Sequence, residues 1–425
     1  MKNLLKTTGF FILLIAAMTA CEDRRYELIT YEANVPVYMD LNVFRNSFTK
    51  SEPVEIKQPG KIYFKDGYLF VNECGKGIHV IDNSDPSNPE KIAFYNIMGN
   101  IDMAIRGNIL YADSYIDLVA IDISDINDPV EIDRLENVFP ESVPQGDSWY
   151  PYARVDSKKG VVVDWKVRTV TEKREIYEQG GWIYINMLTF NGTGAVDGSW
   201  SAGAGIAGSM ARFMLNNEFL YLIAHPWLLK TVDTESGSEM QVVDSIEVSR
   251  DMETLYRLGD KLFIGTTTGM LIYGLDNPDK PAFLSSYDHI TACDPVVTDG
   301  RYAYVTLRTG NRCGGNQNLL EVIDISSITN PYLVKSYPMY NPHGLGIEGD
   351  LLFICDGDAG LKIYDRTDPL GILTNQLAHF ADIDTYDVIP LEGILMLIGE
   401  DGIYQYDYTD IQNIVQISHL LIAGE

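Results

Sequence analysis

The chain has 425 residues, of which 46% are hydrophobic and 11% aromatic, and its formal net charge at pH 7 is -28. This content excludes an intrinsically disordered protein, because a chain so rich in apolar and aromatic side chains can bury a core. The acidic balance repels polyanions, so nucleic acid is not an expected partner, and no direct binding to anionic lipid is expected.

The first twenty residues predict a secretory signal. Lys2 and Lys6 precede the stretch GFFILLIAAMTA, which is too short to span a bilayer. The ending MTAC resembles the lipobox of bacterial lipoproteins, and Glu22 and Asp23 resemble the surface-export signal of Bacteroidetes lipoproteins. These resemblances imply acylation at Cys21 and a protein anchored by lipid in the outer membrane, with surface exposure left open. A plain cleaved signal with unmodified Cys21 is the alternative.

Residues 21–57 are predicted to form a tether and a lead-in strand. The segment VPVYMDL has the alternating apolar residues of a strand. We expect it to complete the last unit of the repeat that follows it.

From residue 58 onward the chain repeats one phrase, in which an apolar run ends in Asp and is followed by a turn with Pro. Its clearest copies are IHVIDNSDPSNP, LVAIDISDINDP and LEVIDISSITNP. Seven anchoring Asp residues recur about forty residues apart except across one long gap, at Asp82, Asp122, Asp233, Asp276, Asp324, Asp365 and Asp407. Each copy brings three further short runs rich in Val, Ile, Tyr and Phe, which predicts four strands per copy.

A four-stranded antiparallel sheet repeated at this period is typical of a β-propeller blade, because one such sheet must bury its faces against its neighbours. The sequence therefore predicts an all-β, seven-bladed propeller over residues 58–425. We expect the anchoring carboxylates to accept N–H groups of their turns, since seven near-equivalent copies favour a structural role over catalysis.

An insertion at residues 139–204 breaks the period between the second and third copies. It contains two or three predicted strands and then a tract rich in Gly and Ser that lacks the order of a phosphate-binding loop. A flap or a loop over the channel mouth is the favoured interpretation. An eighth blade is the alternative.

The phrases HVIDNSDPSNP, AIDISDINDP and EVIDISSITNP are similar to the LVIVD repeat, a propeller-forming repeat of exported bacterial lipoproteins. The resemblance covers roughly residues 58–425 apart from the insertion. It implies a propeller at the cell envelope, and it brings no catalytic residues with it.

Aligning the copies places five titratable residues at the heads of inner strands, and these are Asp102, Glu253, Asp294, His343 and Asp387. Inner strands line the central channel, so we expect these groups to crowd one mouth. Crowded carboxylates raise one another's pKa values and attract cations, and Ca²⁺ is conceivable there. A polar channel lining without catalysis, metal or cofactor is the favoured interpretation.

All five tryptophans lie in or beside the insertion, at Trp149, Trp165, Trp182, Trp200 and Trp227. Exposed rings would suit stacking on a sugar or anchoring a partner protein. Packing of the insertion onto the propeller explains the cluster equally well.

Four cysteines follow Cys21 in a chain predicted to be exported, where disulfides persist. Cys293 and Cys313 belong to one repeat, and a bridge between them would contribute roughly 3 kcal/mol. Cys74 and Cys355 fall in blades that are not adjacent, so we expect free thiols. The scattered Cys and His residues do not predict a zinc site.

These features predict a monomeric, lipid-anchored binding or scaffolding module for an envelope protein or glycan. The alternative is a carbohydrate-active hydrolase or lyase that works at the acidic channel mouth.

Overall fold

The computed structural model describes residues 25–176, 178–179, 182–183, 210–235, 239–289, 295–309 and 317–423. Seven sheets, each built from four consecutive antiparallel strands, make up the body of the protein. The predicted all-β, seven-bladed propeller is therefore confirmed. Within the described residues, no helix has the length and apolar character needed to cross a membrane.

The described chain begins outside the ring. Strand β1 (Arg25–Met39) leads to a short helix α1 (Leu41–Arg45), which Asp40 caps by accepting two backbone N–H groups. Strand β2 (Thr49–Ser51) then pairs with the outer strand of the first blade and gives that sheet a fifth strand.

The first two blades follow directly. Blade 1 consists of β3 (Pro59–Lys65), β4 (Tyr68–Glu73), β5 (Gly77–Asp82) and β6 (Glu90–Asn96). Blade 2 consists of β7 (Met103–Arg106), β8 (Ile109–Ser114), β9 (Asp117–Asp122) and β10 (Val130–Leu135).

The insertion contributes strands that lie outside the seven blades. After a 3₁₀ turn at Ser157–Lys159, β11 (Val161–Ile176) pairs with β1 along the whole length of β1. The short strands β12 (Glu178–Gln179) and β13 (Trp182–Ile183) pair with each other. Because β11 pairs with β1 and not with a blade strand, it does not build an eighth blade.

The remaining five blades occupy the C-terminal half. Blade 3 consists of β14 (Phe213–Asn216), β15 (Phe219–His225), β16 (Leu228–Asp233) and β17 (Gln241–Glu247). Blade 4 consists of β18 (Met252–Leu258), β19 (Lys261–Thr266), β20 (Gly269–Gly274) and β21 (Ala282–Asp288). Blade 5 consists of β22 (Val296–Thr298), β23 (Tyr302–Leu307), β24 (Leu319–Asp324) and β25 (Tyr332–Pro338).

Blades 6 and 7 complete the chain. Blade 6 consists of β26 (Leu345–Glu348), β27 (Leu351–Cys355), β28 (Leu361–Asp365) and β29 (Gln376–Phe380), with a 3₁₀ turn at Ile372–Asn375. Blade 7 consists of β30 (Thr385–Leu391), β31 (Ile394–Gly399), β32 (Gly402–Asp407) and β33 (Val415–Leu421).

The first strand of each blade is the inner one, and from blade 1 to blade 7 it lies beside the first strand of the next blade along the chain. Blades 7 and 1 close the ring through one shared core, in which Ile62 and Leu69 pack with Ile389 and Ile403. Each fully buried side chain of this kind contributes about 1.5–3 kcal/mol, so the closure is a hydrophobic interface like those between the other blades.

The expected closure by the lead-in strand is wrong. Blade 7 takes all four of its strands from the C-terminal chain and has no place for a donated strand. The VPVYM segment instead lies at the end of β1 and pairs with β11, where Val35 faces Lys166 and Met39 faces Val161.

The repeated Asp closes the turn between the third and fourth strands, as predicted. The carboxylate accepts the backbone N–H of the residue two positions later at 2.8–2.9 Å at Asp82, Asp122, Asp233, Asp324, Asp365 and Asp407. In blade 4 the third strand ends at Gly274, so Gly274 and not Asp276 occupies the anchoring position. The sequence alignment was displaced there by two residues.

The same turn also joins neighbouring blades. Four residues after the end of the third strand, a backbone carbonyl accepts a hydrogen bond from a side chain of the preceding blade. These pairs are Tyr95 with Ile126, Tyr221 with Pro278, Ser285 with Ile328, Tyr337 with Pro369, and Gln405 with Pro86. The last pair joins blade 7 to blade 1, so the ring closes with a contact that also occurs at four other junctions between blades.

Candidate functional site at the channel mouth

The predicted mouth residues lie at the heads of inner strands. Asp102 directly precedes β7, Glu253 is the second residue of β18, His343 lies two residues before β26, and Asp387 lies in β30. Asp294 lies outside the described residues.

Asp102 holds three blades together. Its side chain is 1% exposed, and it forms an ion pair with the Lys61 ammonium of blade 1. It also accepts the backbone N–H of Arg212 at 2.6 Å, on the segment that enters blade 3, and that of Met103 at 2.7 Å. This carboxylate is therefore saturated by structural contacts.

Asp113 is a mouth residue that the sequence analysis missed. One of its oxygens accepts the backbone N–H groups of Ile101 and Asp102 at 2.7 and 2.9 Å and the side-chain amide of Asn100 at 2.9 Å. Burial raises the pKa of Asp113 to about 6, against the lowering effect of its backbone hydrogen bonds. At neutral pH this carboxyl group is close to its titration range.

Asp113 occupies a position in the blade that also carries a polar residue in two other blades. It is the last residue but one of the second blade strand, and Asn72 and Thr306 hold the same place in blades 1 and 5. Asn72 donates to Asn100, and Thr306 donates to the backbone oxygen of His343 at 2.6 Å. Aligning the ends of the second strands as well as the heads of the first would have placed Asp113 with Asn72 and Thr306.

His343 is buried between blades 5 and 7. Its ring lies edge-on to Tyr386, with 5.3 Å between the centroids, and its Nε2 is 3.3 Å from the Arg308 guanidinium. Burial, with the Arg308 charge as a second cause, lowers the pKa of His343 to about 3. The imidazole is therefore neutral at pH 7, its Nε2 accepts from Arg308, and it is a weak general base.

Glu253 belongs to the same group because its carboxylate interacts electrostatically with Arg308. Burial lowers the pKa of Arg308, and the nearby Glu253 carboxylate opposes this effect. Asp387 packs close by against the glycine that follows His343, because a Cβ on Gly344 would lie 2.1 Å from an Asp387 oxygen. Glycine is required at position 344 to admit the carboxylate of the neighbouring blade.

The mouth thus contains two groups of mixed charge. Asp102, Asp113, Lys61 and Arg212 form one group on blades 1 to 3, and the residues around Arg308 form the other on blades 4 to 7. Basic side chains enter both groups, so the described part of the mouth combines predicted titratable residues with Lys61, Arg212 and Arg308. Among the residues that the structure describes, no group of three His, Cys, Asp or Glu side chains could hold a metal ion.

A family model of the LVIVD repeat matches residues 60–96, 101–136 and 292–338. The chain contains LVIVD repeats. The three matched LVIVD repeats correspond to blades 1, 2 and 5, which hold the three clearest copies of the phrase. A search of curated proteins found no match.

Three solved structures are similar to this chain. The computationally designed protein Ika8 is similar with a TM-score of 0.51 and 10% identity, over 88% of this chain and 91% of that one. BamB from Moraxella catarrhalis gives 0.48 and 7% over 90% and 97%, and a protein from Lactobacillus plantarum gives 0.47 and 11% over 74% and 82%. At such identities the similarity to Ika8 shows the fold alone.

The paired strands β1 and β11 form a two-stranded ribbon whose foot rests on the second LVIVD repeat. Phe44 of α1 packs with Tyr115 and Val161, and Arg45 pairs with Asp117 at 2.9 Å. Tyr115 lies in the turn between β8 and β9, and Asp113 and Asp117 lie in these two strands on either side of it. The ribbon foot and the mouth therefore share one end of the ring.

Of the described tryptophan side chains, one packs within the insertion and another is exposed, so neither of the two interpretations accounts for all of them. Trp165 is 9% exposed, packs on Tyr152 and donates to the Pro144 oxygen at 2.6 Å, so it is part of the packing of the insertion. Trp149 is 89% exposed, on a loop that Asn34 of the ribbon fixes by donating to Asp147 and Tyr150.

Trp227 is 41% exposed in the turn after β15. The side chain of Trp182 and all of Trp200 lie outside the described residues, as do Cys21, Cys293 and Cys313. Cys74 is half-buried and Cys355 is buried, and both are free thiols.

Proposed function

We propose that this protein is a non-catalytic binding module of the bacterial envelope, anchored by lipid at Cys21. The binding surface is the ribbon foot with its attached loop, and the partner is an envelope protein or a glycan. The proposed role requires no cofactor.

One observation carries this proposal. Trp149 is almost fully exposed, yet its loop is held by hydrogen bonds from Asn34 at 2.8 Å to each of two backbone oxygens. A large aromatic side chain on a fixed loop can bury its surface against a partner without a further loss of loop entropy. At the mouth, in contrast, Asp102 is committed to ion pairing and His343 is a weak base.

The test compares Trp149→Ala with Leu370→Ala in the full-length, acylated protein. Leu370 is 58% exposed in the blade 6 turn at the opposite end of the ring, so it is a matched control. A photoreactive residue at position 148 would crosslink bound envelope proteins, and a glycan array would detect sugars. We expect Trp149→Ala to lose the captured partner and Leu370→Ala to retain it. Equal capture by the two variants would contradict the proposal.

The alternative of a carbohydrate-active hydrolase or lyase has one observation in its favour. Asp113, with a pKa raised to about 6, lies beside a second carboxylate, Asp102. A carboxyl group with a raised pKa close to a second carboxyl group is the kind of pair that glycosidases use. If this alternative holds, Asp113→Asn abolishes a glycan-degrading activity of the wild-type protein and leaves its urea midpoint unchanged.

A further inference from the structure

The ribbon is long enough to act as a spacer. Strands β1 and β11 pair from Arg25 opposite Ile176 to Met39 opposite Val161. At about 3.4 Å per residue, fifteen residues of antiparallel ribbon extend roughly 50 Å. The Met39 end is the foot on blade 2, so the Arg25 end is the far end.

The far end carries exposed apolar side chains on one face. Leu28 is 74% exposed and Tyr26 is 44% exposed, and both lie on the same face because their positions differ by two. Lys173, directly opposite Leu28, places its ammonium 3.8 Å from the centre of the Tyr26 ring. An aromatic ring, an aliphatic side chain and a lysine together are the combination that anchors proteins at a bilayer interface.

The position of Cys21 limits where this end can lie. Four residues along the chain separate Cys21 from Arg25, and they can span at most about 14 Å. If Cys21 carries acyl chains, Arg25 is within this distance of the lipid headgroups. Tyr26 and Leu28 follow directly, so their exposed face lies within reach of the membrane surface.

We propose that the β1–β11 ribbon is a membrane stalk, whose far end contacts the lipid surface through Tyr26, Leu28 and Lys173. The inference rests on the proposed acylation of Cys21. The stalk reduces electrostatic repulsion by holding the propeller body away from the membrane, because the chain carries a net charge of -28 and anionic lipid repels it. At the far end, Lys173 supplies a local positive charge.

The experiment uses the acylated full-length protein on phosphatidylcholine vesicles that contain a lipid with a nitroxide quencher in its acyl chain. A fluorescent non-natural amino acid replaces either Leu28 or Val43. Val43 is 60% exposed on α1 at the ribbon foot, so it is the matched control. The expected result is at least a twofold loss of fluorescence at position 28 and no loss at position 43.

Three other outcomes are distinguishable. If the protein floats with the vesicles and neither position is quenched, the lipid contact is wrong and the anchor stands. Quenching at both positions would mean that the ribbon lies flat and is not a stalk. If mass spectrometry finds Cys21 unmodified, or if Cys21→Ser floats as well as wild type, the proposed lipid anchoring itself fails.

Discussion

Replacing Asp102 by Asn is expected to destabilise the ring strongly. The substitution keeps one oxygen, so only one of the Arg212 and Met103 N–H groups retains its acceptor, and it removes the partner of Lys61, which is 6% exposed. Leaving one charge of a buried pair without its counter-ion costs about 3–5 kcal/mol, whereas removing both charges is often neutral. We therefore expect Lys61→Met combined with Asp102→Asn to recover most of the loss.

The assay is urea unfolding of the wild type, both single variants and the double variant, followed by intrinsic fluorescence at pH 7. The coupling energy from this cycle measures the interaction between the two side chains. If the double variant is as unstable as Asp102→Asn alone, the ion pair is not the source of the loss, and the reasoning is refuted.

The pH dependence supplies a second readout. Burial lowers the pKa of Lys61, against the raising effect of Asp102, and removing Asp102 takes away that opposing effect. A lysine with a folded-state pKa below its unfolded value destabilises the fold at low pH, and this penalty fades as pH rises through the folded pKa toward the unfolded value. The loss in unfolding free energy caused by Asp102→Asn should therefore be smaller at pH 10 than at pH 7. The double variant should not show this dependence on pH.

Two further substitutions test the packing between blades, each by its urea midpoint. Gln405→Leu removes a buried amide that exchanges two hydrogen bonds with the Asn83 amide, at 2.7 and 2.9 Å. The polar groups left unpaired at the closure of the ring should cost about 1–3 kcal/mol of unfolding free energy. The control substitution Gln412→Leu, at an exposed position, should cost little. Gly344→Ala places a Cβ 2.1 Å from an Asp387 oxygen and should cost about 1–3 kcal/mol. Gly274→Ala, whose nearest contact would be a flexible Leu284 side chain at 3.3 Å, should cost less, and equal losses for the two glycines would contradict this account.

The repeat and its turn could be predicted because their determinants are local. The bond from Asp82 to the N–H two residues later needs no distant partner, and the same holds for its counterparts. Blade 4 shows the limit of this approach. The third strand of blade 4 ends at Gly274, but the sequence alignment placed Asp276 at the anchoring position, two residues further along the chain.

The ribbon could not be predicted because its partners are distant in the sequence. Val35 pairs with Lys166, more than a hundred residues away, and the alternating pattern of either strand is compatible with many partners. The contacts at the channel mouth could not be predicted for the same reason. The heads of the inner strands fix where Asp102 lies, but its ion-pair partner Lys61 and the Arg212 backbone N–H that it accepts come from the blades on either side.

The ribbon also limits where a partner can be. Its foot is joined to the mouth by a single turn, since Asp113 bonds the head of β7 and Asp117 pairs with Arg45 of α1. If the far end is held at the bilayer, the ribbon foot lies no further from the lipid than the ribbon and the four residues before it allow, which is roughly 65 Å in total, and the mouth lies one turn beyond the foot. A tethered surface meets membrane-bound partners at a high effective concentration, and this advantage does not extend to freely diffusing ones. If the proposed anchor and stalk hold, the partner is therefore expected to be fixed in or close to the same membrane.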